Sequence, residues 1–89
     1  MPGGNERDEL NRDLVEVDDL IDVIREHVHR QRDTLTALER EGHRSAIAQA
    51  RDLLNAFEES LRLHIEDRER IRRKLLHALK YLLQSFAVD

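Results

Sequence analysis

The stretch Gly42-His43-Arg44-Ser45 decides how this chain folds. Gly42 is the only glycine after residue 4 and Pro2 is the only proline, so long amphipathic segments run uninterrupted on both sides. Glycine reaches left-handed backbone angles without a Cβ clash and commonly sits just past the last residue of a helix. Arg40 lies in the turn before it, where a cation suits a helix C-terminus, although Glu39 and Glu41 do not. Ser45 offers a hydroxyl that accepts from an orphaned N–H at the start of a second helix, and apolar residues resume with Ala46, Ile47 and Ala50. A connection this short forces antiparallel helices. The competing reading is one continuous helix through Gly42, because glycine in a helix interior costs only about 1 kcal/mol.

The pattern therefore predicts an all-α helical hairpin in a single domain. Residues 1–5 form a frayed N-terminal tail, 6–41 the first helix, 42–45 the turn and 46–86 the second helix. Asn5 is a fair N-cap, with Glu6, Asp8 and Glu9 in the acidic first turn that a helix dipole favours.

Along the first arm the apolar positions are Leu10, Leu14, Val17, Ile21, Ile24, Val28, Leu35 and Leu38, with Gln31 as the one polar member. Their spacing alternates four and three, which is a heptad seam. Val15, Leu20 and Val23 lie off the seam and widen the stripe, as a helix touching more than one neighbour requires. The second arm repeats the pattern through Ile47, Ala50, Leu54, Phe57, Leu61, His64, Arg68, Ile71, Leu75, Ala78 and Leu82, with His64 and Arg68 polar. Gln31, His64 and Arg68 are thus candidates for a polar layer that fixes register, answered by Asp18, Asp22 or Gln31. Folding about the turn sets Ile24 level with His64, Val17 with Ile71 and Leu10 with Ala78.

Near its end the second arm becomes apolar on several sides, through Leu75, Leu76, Leu79, Tyr81, Leu82, Leu83 and Phe86. One partner helix cannot cover that breadth, and small domains are marginal without further burial. The expectation is a homodimer or higher assembly of hairpins, packed as a four-helix bundle or antiparallel coiled coil. Its interface would comprise Leu75, Leu76, Leu79, Leu82, Leu83 and Phe86 with Val15, Leu20 and Val23.

Charge supports the hairpin. Residues 1–22 carry eight acids against Arg7 and Arg12, whereas residues 61–80 carry seven bases against Glu66, Asp67 and Glu69. An antiparallel fold sets these stretches side by side, and although exposed pairs contribute only about 0–1 kcal/mol each, they select orientation.

Other function classes find little in the sequence. Charged residues make up 38% of the chain and aromatics 3%, which suits solvated helices rather than a sandwich or barrel. The absence of cysteine excludes disulfides and thiolate zinc sites. There is no apolar run of membrane-spanning length and no secretory leader, so the expected setting is cytoplasmic, with no membrane partner. Arg68-Glu69-Arg70-Ile71-Arg72-Arg73-Lys74 is the strongest basic run and offers a nucleic-acid contact, but the net charge is −4 and no aromatics are interleaved. Glu26 and His29 have a spacing used by di-iron bundles but point away from the seam, which Val28 occupies; His27, His64 and Asp67 form a second conceivable ligand set. No phosphate loop and no nucleophile with a neighbouring base occurs, and a two-helix rod lacks the concavity small-molecule enzymes need. The sequence therefore predicts no catalytic residues, no cofactor and no metal.

The motifs Arg30-Gln31, Leu38 through Gly42-His43, Leu53-Leu54, Phe57-Glu58, Ser60-Leu61 and His64 resemble a set of small alphaproteobacterial helical-hairpin proteins of uncharacterised function. The resemblance spans residues 29–76. It implies a helical hairpin in a bacterial cytosol and carries over no catalytic or binding residue. The resulting expectation is a non-enzymatic interaction module, regulatory or adaptor, that binds itself and another helical protein. The alternatives are a nucleic-acid-binding regulator using residues 68–74 and a metal-binding bundle.

Overall fold

The computed structural model describes residues 2–87, with side chains described over 6–86. Two helices account for the fold: α1, Pro2–Glu41, and α2, Arg44–Ala87. They lie antiparallel in a rod 71 × 17 × 14 Å in extent.

Gly42 turns the chain, with φ at 75°. Its N–H donates to the Leu38 carbonyl at 2.9 Å, and the next N–H, from His43, reaches the same oxygen at 3.4 Å. One left-handed residue thereby satisfies a carbonyl that the end of α1 would leave orphaned. The His43 carbonyl already accepts the first α2 bond, from Ile47 N–H at 2.8 Å. His43 therefore occupies the N-cap position, and Ser45, expected there, is the second residue of α2. The turn is two residues rather than four.

At the other end α1 starts at Pro2, so residues 2–5 belong to the helix rather than to a tail; Met1 lies outside the described residues. Proline suits the first helical position because its missing N–H is one of the orphans there and its φ is already helical. Asn5 is consequently inside the helix. Glu6, Asp8 and Glu9 fall beyond the first turn, where the dipole's pull has faded.

The two seams meet as their spacing requires. All nine α1 seam positions from Leu10 to Leu38 are buried or half-buried, and among the described side chains of α1 off the seam only Asp18 is shielded to that degree. The main core joins Leu10, Val17 and Ile21 to Ile71, with Leu14, Leu61, Ile65 and Leu75 packed around them. Among the described residues Ile21 is the only large side chain of zero exposure. Nearer the turn, Val28, Ala50 and Leu54 are also buried. The level of Val17 with Ile71 is as expected. Ile65 was not expected in the core, since it lies one step off the seam. It packs beside the level where the seam carries His64, and its apolar bulk stands in for the side chain a hydrophobic seam residue would have supplied.

Candidate functional site

The polar residues on the seams do not form one layer. Gln31 Nε2 donates to the Ala50 carbonyl of the opposite helix at 3.0 Å, near the turn. That bond ties α1 to α2 at one defined height. Farther along, His64 Nδ1 lies 2.7 Å from the Ser60 carbonyl of its own helix. A carbonyl only accepts, so Nδ1 carries the proton. Arg68 crosses to α1, where Nη1 stands 3.6 Å from Asp18 Oδ1, while its Nε is buried without a hydrogen-bond partner. Asp18 thus answers Arg68 as expected, whereas neither Gln31 nor Asp22 does. A group of this kind sets register and orientation between helices.

The ionic pattern differs from the expected cross-arm match. Among the described residues, the cross-arm contacts are Arg68–Asp18 and Arg32–Glu58, the latter at 2.9 Å. The other arginine pairs lie within one helix: Arg30–Glu26, Arg62–Glu59, Arg62–Glu66, Arg68–Glu69, Arg70–Asp67 and Arg72–Glu69. Acids three or four residues away need less ordering to reach than acids on another helix, so local pairing wins. Arg62 grips Glu59 with two hydrogen bonds, from Nε at 3.0 Å and Nη2 at 2.5 Å. This holds the Glu59 carboxyl below its ordinary pKa and raises that of the guanidinium.

The same pairing engages the basic run. Arg68, Arg70 and Arg72 each have a carboxylate within ion-pair distance. Arg73 and Lys74 line a groove of about 1050 Å³ between the arms at their open end, whose other wall holds Glu9 and Asp13. The acid-rich and base-rich stretches also face each other across this groove. Residues 68–74 are therefore part of a mixed-charge surface rather than a free cationic stripe.

The histidines do not converge. His27 stacks on Phe57, with ring centroids 5.2 Å apart and planes 10° apart, instead of joining His64 and Asp67. His29 lies 3.6 Å from Asp33 on the exposed face. Among the described residues no group of three His, Asp or Glu side chains is arranged to hold a metal ion, and no helix is long and apolar enough to cross a membrane.

The apolar end of α2 is the largest feature left open. Leu76, Leu79, Leu83 and Phe86 are exposed by 55%, 47%, 68% and 81%, although each is a large hydrophobic side chain. Leu82 and Tyr81 are exposed as well, and on α1 so are Val15, Leu20 and Val23. Leu75 departs from the expected interface set: it packs on the Leu10–Ile71 core, because its seam position turns it toward α1. The spacing of Val15, Leu20 and Val23 scatters them around α1, with Val15 on the flank of the seam opposite Leu20 and Val23, so they make no single stripe with the α2 residues. Leu53 and Leu63 are further exposed leucines, absent from the expected set, and they stand singly. Isolated exposed apolar residues are normal on protein surfaces; a contiguous group is what marks an interaction site.

Comparison with family models, with curated proteins and with solved structures finds no match to this chain.

Proposed function

We propose that this protein is a non-enzymatic helical interaction module, a regulator or adaptor of the bacterial cytoplasm that works by self-association and by helix–helix docking. One observation carries the reading: the apolar face of α2 from Leu76 to Phe86, which α1 leaves uncovered. Hydrophobic burial is the main favourable term in most protein association, and a helix end with four large apolar side chains in water is a surface that association would bury. Two hairpins meeting there bring the ends of four helices together, a short four-helix bundle confined to the level of that face. The cross-arm contacts of Gln31, Arg68 and Arg32 hold the hairpin in one register, so the face is presented in a fixed orientation.

Molar mass in solution, measured by light scattering on the full chain and on a truncation after Leu79, tests this. The expected result is a dimer for the full chain and a monomer for the truncation. A full chain that stays monomeric at high concentration overturns self-association.

A further inference from the structure

We infer that two copies join end to end, α2 against α2 in antiparallel register about the level of Tyr81, so that Leu76 of each copy meets Phe86 of the other and Leu79 meets Leu83. The inference rests on the self-association proposed above and names the surface, the occupant and the geometry.

Three observations lead to it. The first is spacing. Leu76, Leu79, Leu83 and Phe86 are separated by three, four and three residues, a heptad pattern of their own one flank away from the seam that faces α1. The pattern is symmetric about residue 81, so an antiparallel copy of the same stripe pairs with it position for position. That is the self-complementarity a two-fold interface requires.

The second is extent. Continued toward the turn, the same flank carries Arg72, Glu69 and Arg62, with Ile65 already committed to the hairpin core. The apolar contact therefore stops at about Leu76 and gives two hairpins no reason to lie side by side along their length. Two such stripes remove on the order of 1,000 Å² from water, the lower edge of a specific interface. The dimer is accordingly concentration-dependent.

The third is charge. Residues 70–88 contain five bases, Arg70, Arg72, Arg73, Lys74 and Lys80, and no acid. Parallel pairing would set each basic cluster against its own copy. Antiparallel pairing about residue 81 puts the two Arg73 positions about 24 Å apart along the axis at 1.5 Å per residue. That separation exceeds twice the Debye length of roughly 10 Å at moderate salt. An anionic lipid surface would also suit five bases beside an apolar stripe. However, the acid-rich first 22 residues run alongside on α1 and oppose it.

Small-angle X-ray scattering with light scattering on the full chain separates the outcomes. The end-to-end dimer has twice the monomer mass and a maximum dimension of about 125 Å, two 71 Å rods overlapping by the stripe. Leu83→Asp, at an exposed site where the hairpin itself does not depend on the side chain, is expected to weaken the dimer at least tenfold with helicity by circular dichroism unchanged. Leu53→Asp, exposed but outside the stripe, leaves the dimer intact. A dimer no longer than a single rod, or one indifferent to Leu83→Asp, overturns the end-to-end geometry while leaving self-association standing. A chain monomeric at every concentration overturns both, and binding of that monomer to phosphatidylserine vesicles would assign the stripe to a membrane surface instead.

Discussion

Gly42 sits at a left-handed φ with nothing within 4 Å of where a Cβ would be. The space is open, so a substitution there meets backbone strain alone. Gly42→Ala is expected to lower stability by about 1–2 kcal/mol, read as a shift in the urea midpoint at fixed protein concentration. Glu59 supplies a second test on one side chain. Its two hydrogen bonds to Arg62 lower its pKa in the folded chain, so this pair stabilises the fold fully above the ordinary carboxylate range. The contribution is lost as pH falls through the lowered folded value. The thermal midpoint of Glu59→Gln should lie below that of the parent at neutral pH, and the gap should close as the pH is brought toward about 2. A gap that widened in acid would contradict the assignment. Ser45 shows how a cap can be misread from residue type. Its hydroxyl suits the role, but the backbone of His43 makes the first α2 bond two residues earlier.

Along the helices, the seam was the most legible feature of the sequence. Spacing alone located the residues that α1 turns inward, because a heptad repeat fixes one face of a helix regardless of what covers it. Ile21→Ala is expected to cost about 2–5 kcal/mol, whereas Val23→Ala, two residues on and exposed, should change stability by less than about 0.5 kcal/mol. Chemical denaturation of the pair measures both. Less was legible at the flanks. Whether Ile65 or Leu76 is covered depends on how the helices rotate about their contact, and each lies one step off the seam. Leu75 belongs to the seam and lies inward, although its place in the apolar end of α2 groups it with the outward residues. Apart from Arg68–Asp18, the ion pairs are not legible, because the sequence sets local acids and distant acids in competition for each arginine, and only the fold shows that nearby ones mostly win. The start of α1 was obscured by Pro2, Gly3 and Gly4, whose composition reads as a loop although proline is at home in a first helical turn.

A rod of two helices has no third layer, so each helix buries one face and shows the rest to water. The shape was legible in the sequence from the length of the uninterrupted segments and the single central glycine. The candidate site was legible only as an excess of apolar residues near the end of α2; which of them form a continuous face required the structure. The turn at Gly42 lies near the middle of the chain and orders how the hairpin closes. Leu38 and Ile47 are nine residues apart in sequence, whereas Leu10 and Ala78 are separated by most of the chain. Bringing Leu10 to Ala78 first would close a long loop, but once the layers near the turn have formed, each new layer adds only a short one. Loop closure alone therefore favours a hairpin that zips from Gly42 outward, with the end bearing Leu76 to Phe86 closing last. A partner that grips that end would latch the zipper shut.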